Sequence, residues 1–409
     1  MKASASAQPT VGFGDSIDIG VAGSAALLTG IGIVIMFSTS AHLGGQLFST
    51  IFLRHVGAVC AGLLLLLGAC YLPLARVRQL AVPLWCLSLL LLTATFFLGI
   101  DKNGAQRWLA IPGLDFSFQP VEIMKLATVL ALAAHLSPKN SRPITAPRDW
   151  FPALIIALPP AALLLLQPDF GNAVITLLLG VSLLFVAGAP LRLFVIPGLA
   201  GAGLVGGYIA MNPYAMARVT AFRHAWETSQ AGGFQLVQSF VAFARGGILG
   251  VGLGNGRQKL GYLPEAHTDF IFSTVAEELG LLGVLFVIGG FAWFLLSGSR
   301  IARNSQDRFA TLLAFGCTLL IALPGAINIA VVTGAIPTKG LTLPLLSYGR
   351  TSIIASALAV GLLLNVARQQ QLVGEKQPTA RGKKKTKAPR GNNRSTAKSA
   401  GRVAARSRA

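Results

Sequence analysis

The sequence predicts an all-α polytopic membrane protein with about ten transmembrane helices, a large outer loop between helices 7 and 8, and a disordered basic C-terminal tail. Three observations predict it. The chain is 53% hydrophobic and only 12% charged, against about 25% charged in a typical soluble domain. Its apolar residues gather in ten runs close to the ~20 residues that cross a bilayer. Its formal charge of +20 is concentrated at the C-terminus. There twelve Lys or Arg between 369 and 409 stand against Glu375 alone.

The runs lie at about 17–40, 53–72, 81–100, 120–137, 151–167, 171–187, 193–211, 269–296, 309–333 and 351–367. Each is taken as a helix, because lipid leaves no partner for an unpaired backbone group. The domain plan is a cytoplasmic segment over 1–16, a ten-helix membrane domain over 17–367 with its large loop at 212–268, and a tail over 368–409. The polar start of the chain does not read as a cleavable signal peptide. An even number of spans puts both termini on one side, and the basic tail makes that side the cytoplasm. The short inner loops carry Arg76, Arg78, Lys139, Arg142, Arg148, Arg192, Arg300, Arg303 and Arg308. The outer loops, much longer in total, carry no more, so basic density follows the same orientation. The basic residues that do face outward imply an anion there.

The tail cannot bury a core and is expected to be disordered. Joined to a membrane domain, it points to anionic headgroups, not to nucleic acid. Cys60, Cys70, Cys86 and Cys317 lie inside apolar runs with no metal or disulfide spacing. There is no GxxxxGK[ST] nucleotide loop, no HExxH and no GxSxG elbow, which argues against nucleotide hydrolysis, zinc chemistry and a serine nucleophile.

The chemistry concentrates in Gly246–Gly280, a glycine-rich stretch that passes Arg257, Lys259, Glu265, His267 and Asp269 and enters an apolar run carrying Glu277 and Glu278. Asp269 has two readings: a general base at the mouth of helix 8, or the cap of its N-terminus. His267 is an alternative base or a hydrogen-bonding loop residue. If the helix runs through Asp269, Ser273 and Glu277 share its face, with Glu277 about 12 Å deeper. A second cluster runs from Arg107 and Trp108 to Glu122 and Lys125. The last two are spaced to pair on one helix face, and Trp108 could equally be an interfacial anchor. Arg54, Lys339 and Arg350 complete a basic set suited to a diphosphate. Asp169, in Gln167-Pro-Asp-Phe-Gly171, reads as structural. The Pro- and Gly-rich stretch Pro337–Arg350 reads as a re-entrant cavity wall, and its Ser347, with Arg257, Lys259 and His267, is expected to contact the substrate. Gly233–Ile248 reads as a helix lying at the membrane interface.

Four motifs in this order resemble one family, the SEDS proteins of bacterial shape, elongation, division and sporulation. They are Gly104–Trp108 with Gln119–Lys125; Gln167–Gly171; Pro264–Phe270 with Ala276–Gly280; and Pro337–Pro344 with Ser347–Gly349. The form Pro-Thr-Lys-Gly-Leu-Thr-Leu-Pro is closer to the division branch than to the elongation branch. The resemblance implies a ten-helix peptidoglycan glycosyltransferase of the bacterial cytoplasmic membrane, at the division septum. It would polymerise lipid II onto a nascent glycan strand, with a class B penicillin-binding protein as partner and a divalent cation, Mg²⁺ or Mn²⁺, as the one cofactor admitted. It places the essential loop aspartate on Asp269, and further functional positions on Trp108, Glu122, Lys125 and Arg54. Val121, Phe234 and Arg350 depart from the usual Ser, Tyr and Gly. A lipid II flippase and a non-catalytic division scaffold remain rival readings.

Overall fold

The computed structural model describes residues 17–40, 48–102, 105–110, 113, 117–137, 147–190, 192–211, 213–228 and 233–375. The expected N-terminal segment and the tail beyond Glu375 lie outside them. The helical body falls within the compact unit Met1–Gln371; of the unit Leu372–Ala409, only the residues to Glu375 are described.

Ten helices coincide with the ten apolar runs: α1 (Ile19–Ser40), α2 (Thr50–Tyr71), α3 (Leu74–Leu98), α4 (Pro120–His135), α5 (Pro147–Leu166), α6 (Phe170–Val186), α7 (Arg192–Met211), α10 (Ile271–Asn304), α11 (Arg308–Val332) and α12 (Arg350–Glu375). Six of them, α1, α2, α3, α10, α11 and α12, are long and apolar enough to cross a membrane, and 150–166 and 170–186 are shorter apolar helices. Between α7 and α10 lie α8 (Pro213–Arg223) and α9 (Phe234–Gly246). The chain is a polytopic membrane protein.

Helix–helix contact in lipid is favoured by small residues that let backbones approach. A methyl added at Gly316 of α11 would lie 2.4 Å from Val129 of α4, and one at Gly361 of α12 would lie 2.5 Å from the Leu66 carbonyl of α2. At α4 the spacing of apolar residues leaves no polar face, and nearly the whole helix after its first turn is buried. It is the central post of the bundle, packing on α3, α5, α6 and α11.

Three features depart from the sequence reading. The segment before α4 is not loop alone: β1 (Ile100–Lys102), β2 (Ala105–Ala110) and β3 (Ser117–Phe118) form a small antiparallel sheet in that order. Paired backbone removes the cost of unsatisfied groups beside the membrane. Secondly, α9 is packed into the protein, with Leu236, Ser239 and Ala242 buried. Ser239 Oγ hydrogen-bonds Ser273 Oγ at 2.8 Å and donates to the Val332 carbonyl at 2.7 Å.

Thirdly, α10 is broken. Its 34 residues would span roughly 50 Å if straight, more than the ~30 Å hydrocarbon core. Gly280, at φ +65° and ψ −161°, divides it. The glycine-rich hairpin after α9 fills the break. Val251 N donates to the Glu277 carbonyl (3.0 Å) and Gly252 N to the Glu278 carbonyl (3.1 Å); Leu281 N and Leu282 N donate to the carbonyls of Gly247 (2.9 Å) and Ile248 (3.3 Å). Groups that a helix end normally leaves unpaired are thereby satisfied. A β-carbon on Gly280 would sit 2.3 Å from Gly250 N. Gly280→Ala is therefore expected to lose about 1–3 kcal/mol, read as a lowered melting temperature in detergent.

Candidate active site at one rim of the bundle

α4, α6, α10 and α12 all begin at the same rim, and the residues singled out in the sequence sit there in two groups that do different things.

The first group surrounds Asp269. A turn over 265–270 delivers it: Glu265 adopts a left-handed φ of +58°, and Phe270 N donates to the Glu265 carbonyl at 3.2 Å. Asp269 thus precedes α10, whose cap position is Phe270 and carries no side-chain cap bond. The cap reading of Asp269 fails on this geometry, and so does the shared face with Ser273 and Glu277, since helical spacing does not extend back through the turn. The loop is held from behind. Asn328 Nδ2 of α11 donates to the Asp269 carbonyl at 2.7 Å and to the Leu341 carbonyl at 2.6 Å. Ser347 Oγ donates to the Thr268 carbonyl (2.6 Å) and accepts from Leu343 N (2.8 Å). Ser347, expected at the substrate, is instead a buried strut between re-entrant segment and loop.

The Asp269 carboxylate meets bare backbone: a β-carbon on Gly340 would lie 3.0 Å from Oδ2. Burial, then the charges of Glu265 and Asp169, push its pKa up to about 7. His267 goes the other way. Burial lowers its pKa, against an opposing pull from Glu265, so at neutral pH its ring is uncharged. Its ring lies 5.9 Å from that of Tyr348.

Gly340 also lines a cavity of about 480 Å³, counting its open mouth, with Gln119, Glu122, Lys125, Asn172, Thr342, Ser352 and Ser356 among its walls. Lys125 Nζ donates to Glu122 Oε1 at 2.8 Å and to Asn172 Oδ1 at 3.1 Å. Asn172 Nδ2 donates to Asp169 Oδ2 at 2.9 Å, and Asp169 Oδ1 accepts from Asn172 N at 3.3 Å, capping α6. Arg107 of β2 grips the preceding turn through the carbonyls of Gln167 (3.3 Å) and Pro168 (2.8 Å). Arg54, Trp108 and Lys339 are part-buried. Arg350 Nη2 reaches the Ser117 carbonyl and hydroxyl, each at 3.5 Å.

The second group is a clamp on the α10 break. Glu277 is fully buried and takes Arg245 Nη1 (2.8 Å), Arg257 N (2.9 Å) and Gln258 N (3.1 Å). Glu278 takes Lys259 Nζ at 2.6 Å and Ser38 Oγ of α1, which also accepts from Lys259 Nζ at 2.7 Å. Lys259, expected at the substrate, is 6% exposed and spent on this ion pair. A lysine buried at that depth needs a carboxylate, and Glu278 is the one it meets. The side chain of Arg257 is exposed; only its amide joins the clamp.

Asn172, Asn328 and the cavity hydroxyls of Thr342, Ser352 and Ser356 did not stand out in the sequence. A signal existed for three: an asparagine inside an otherwise apolar helix, and two serines four apart on one helix face.

A membrane bundle with a carboxylate raised by burial beside a polar cavity defines a class: an integral membrane protein with a candidate active site at one rim. The chain belongs to the cell cycle protein family of FtsW, RodA and SpoVE, whose family model matches residues 21–372. It is 39% identical over 385 residues to the probable peptidoglycan glycosyltransferase FtsW of Thioalkalivibrio sp. (strain K90mix), covering 92% of this chain and 96% of that one. It is 38% identical over 349 residues to the protein of the same description from Geobacter sulfurreducens (strain DL-1 / KN400), covering 84% and 93%. Among solved structures, it is similar to a chain from a peptidoglycan synthase complex that coordinates polymerization and crosslinking, with a TM-score of 0.72 and 31% identity over 87% of this chain and 98% of that one. The rod shape determining protein RodA of Thermus thermophilus gives 0.65 and 30% over the same shares.

Proposed function

We propose that the chain is a peptidoglycan glycosyltransferase of the division machinery, which polymerises lipid II into β-1,4 glycan strands at the outer face of the bacterial cytoplasmic membrane. One observation carries it: the Asp269 carboxylate, held free of the helix it precedes, stands at the edge of a polar cavity whose wall bears Lys125. The curated relatives bear the same activity in their descriptions.

Asp269 takes the proton from the 4-hydroxyl of the acceptor GlcNAc. That oxygen attacks the anomeric carbon of the donor strand, and the bond from this carbon to the undecaprenyl diphosphate breaks with its electron pair on the leaving oxygen. An α-linked donor gives a β bond by one inversion, with no covalent enzyme intermediate. Arg54 and Lys339, both part-buried, are the cations proposed for the diphosphate, with Lys125 held at the cavity wall by Glu122 and Asn172 and Arg107 engaged on the turn before α6; preorganised positive charge is most effective where charge develops. The N-termini of α4 and α12 add partial positive charge at the same rim.

Among the described residues, no three or more His, Cys, Asp or Glu side chains converge on a metal position. The described residues therefore offer no all-protein cage for Mg²⁺ or Mn²⁺. A class B penicillin-binding protein, cytoplasmic termini and a septal location complete the proposal. The flippase reading loses its membrane-depth acids, because Glu277 and Glu278 are locked in the clamp.

The test is lipid II polymerisation by the purified protein with its transpeptidase, in parallel with scrambling of labelled lipid II in proteoliposomes. Strands without scrambling are expected. Scrambling without strands would establish the transporter.

A further inference from the structure

We propose that Asn328 is a positioning residue for Asp269: its one side-chain amide grips both the residue that carries the base and the segment that the base lies against. This rests on the reading of Asp269 as the base.

Asn328 stands inside the apolar helix α11 and is 1% exposed. An amide has two N–H donors on one nitrogen. Asn328 Nδ2 spends them on two carbonyls, that of Asp269 at 2.7 Å and that of Leu341 at 2.6 Å. These carbonyls belong to the two sides of one contact. Leu341 follows Gly340, and a β-carbon on Gly340 would lie 3.0 Å from Asp269 Oδ2. The amide therefore sets where the carboxylate rests against Gly340, at the wall of the polar cavity. Pro324, one turn earlier on α11, lines the same cavity.

The neighbouring carbonyls of the loop are held too, but differently. Tyr348 N donates to the His267 carbonyl at 2.9 Å, and Ser347 Oγ to the Thr268 carbonyl at 2.6 Å. Three consecutive carbonyls, 267 to 269, are thus taken by donors from outside the loop. Ser347 and Tyr348 belong to the re-entrant segment, so they join it to the loop as one unit. Asn328 comes from a long helix of the bundle and ties that unit to it.

The other end of the side chain supports the same role. Asn328 Oδ1 is buried and has no hydrogen-bond partner among the described residues. An unsatisfied buried acceptor costs stability, and a buried amide kept for stability alone is expected to use both its ends. Here the acceptor end is given up and both donors are used.

Asn328→Leu is close in shape and removes both donors. In lipid II polymerisation by the protein with its transpeptidase, kcat should fall about 10²-fold, the scale expected when a reacting group is misplaced. The KM for lipid II should stay within a few-fold, because no polar side chain lining the cavity is altered. Amide exchange should rise over 265–270 while α11 stays protected. A residue that only stabilised the fold would lower the melting temperature and leave the kcat of the folded protein intact. Asn328→Thr, which keeps a single donor, should lose less, and it decides the matter should Asn328→Leu fail to fold. A wild-type kcat in a folded variant, or a loss confined to KM, overturns the proposal. So does failure of both variants to fold, which makes Asn328 structural. Asp269→Asn assayed in parallel separates this proposal from the reading beneath it. If Asp269→Asn polymerises normally, the base reading falls and takes the proposal with it. If Asp269→Asn is inactive while Asn328→Leu turns over at the wild-type rate, the proposal alone falls.

Discussion

Asp269→Ala is expected to abolish glycan polymerisation in a protein that remains folded. A positioned general base contributes about 10²–10⁴-fold, so the residual rate should be lower by that factor. The fold should not suffer. Asp269 does not cap α10, and its loop is held by its own carbonyl and by Ser347 and Asn328. The Asp269 carboxyl titrates at about 7 in the folded protein, above the ordinary carboxylate value, so at pH 8 the ionised group opposes folding. The melting temperature of Asp269→Ala at that pH should equal or exceed that of wild type. A variant that polymerises normally would remove Asp269 from the chemistry; one that unfolds would make it structural.

Lys259→Met should be the most destabilising of the charge removals. It leaves Glu278 buried without its cation, at 0% side-chain exposure. Breaking a buried pair on one side costs about 3–5 kcal/mol. The damage should centre on the hairpin 247–259, seen as faster amide exchange and protease access there, because that hairpin pairs with the broken backbone of α10. The double variant Lys259→Met with Glu278→Leu should recover most of the loss, since two apolar groups of similar volume often replace a buried pair at little cost. A single variant as stable as wild type would show that the pair is not closed in the membrane.

Ten helices were legible because lipid demands long apolar runs, and each run became one. The break at Gly280 was not legible: glycine is common in such helices, and only the hairpin partners make this one a hinge. Glu277 and Glu278 stood out as costly charges, but their partners lie up to 240 positions away in sequence, which spacing cannot reveal. Lys259, 19 positions before Glu278 and off its helix, read as a substrate-binding residue for the same reason. The Glu122–Lys125 pair was legible because three-residue spacing on a helix places both groups on one side. Asn172 was hidden, being a neutral residue whose role depends on which helices meet. The small sheet at β1–β3 was also hidden, because its strands are short and lie in a loop crowded with Gly and Pro.

The most direct measurement is the pH dependence of lipid II polymerisation by wild type and Asp269→Asn side by side. The wild-type rate should rise through about pH 7 as Asp269 loses its proton, and Asp269→Asn should be flat and lower by about 10²-fold or more. A wild-type rate indifferent to pH across that range, or an active asparagine variant, would contradict the account.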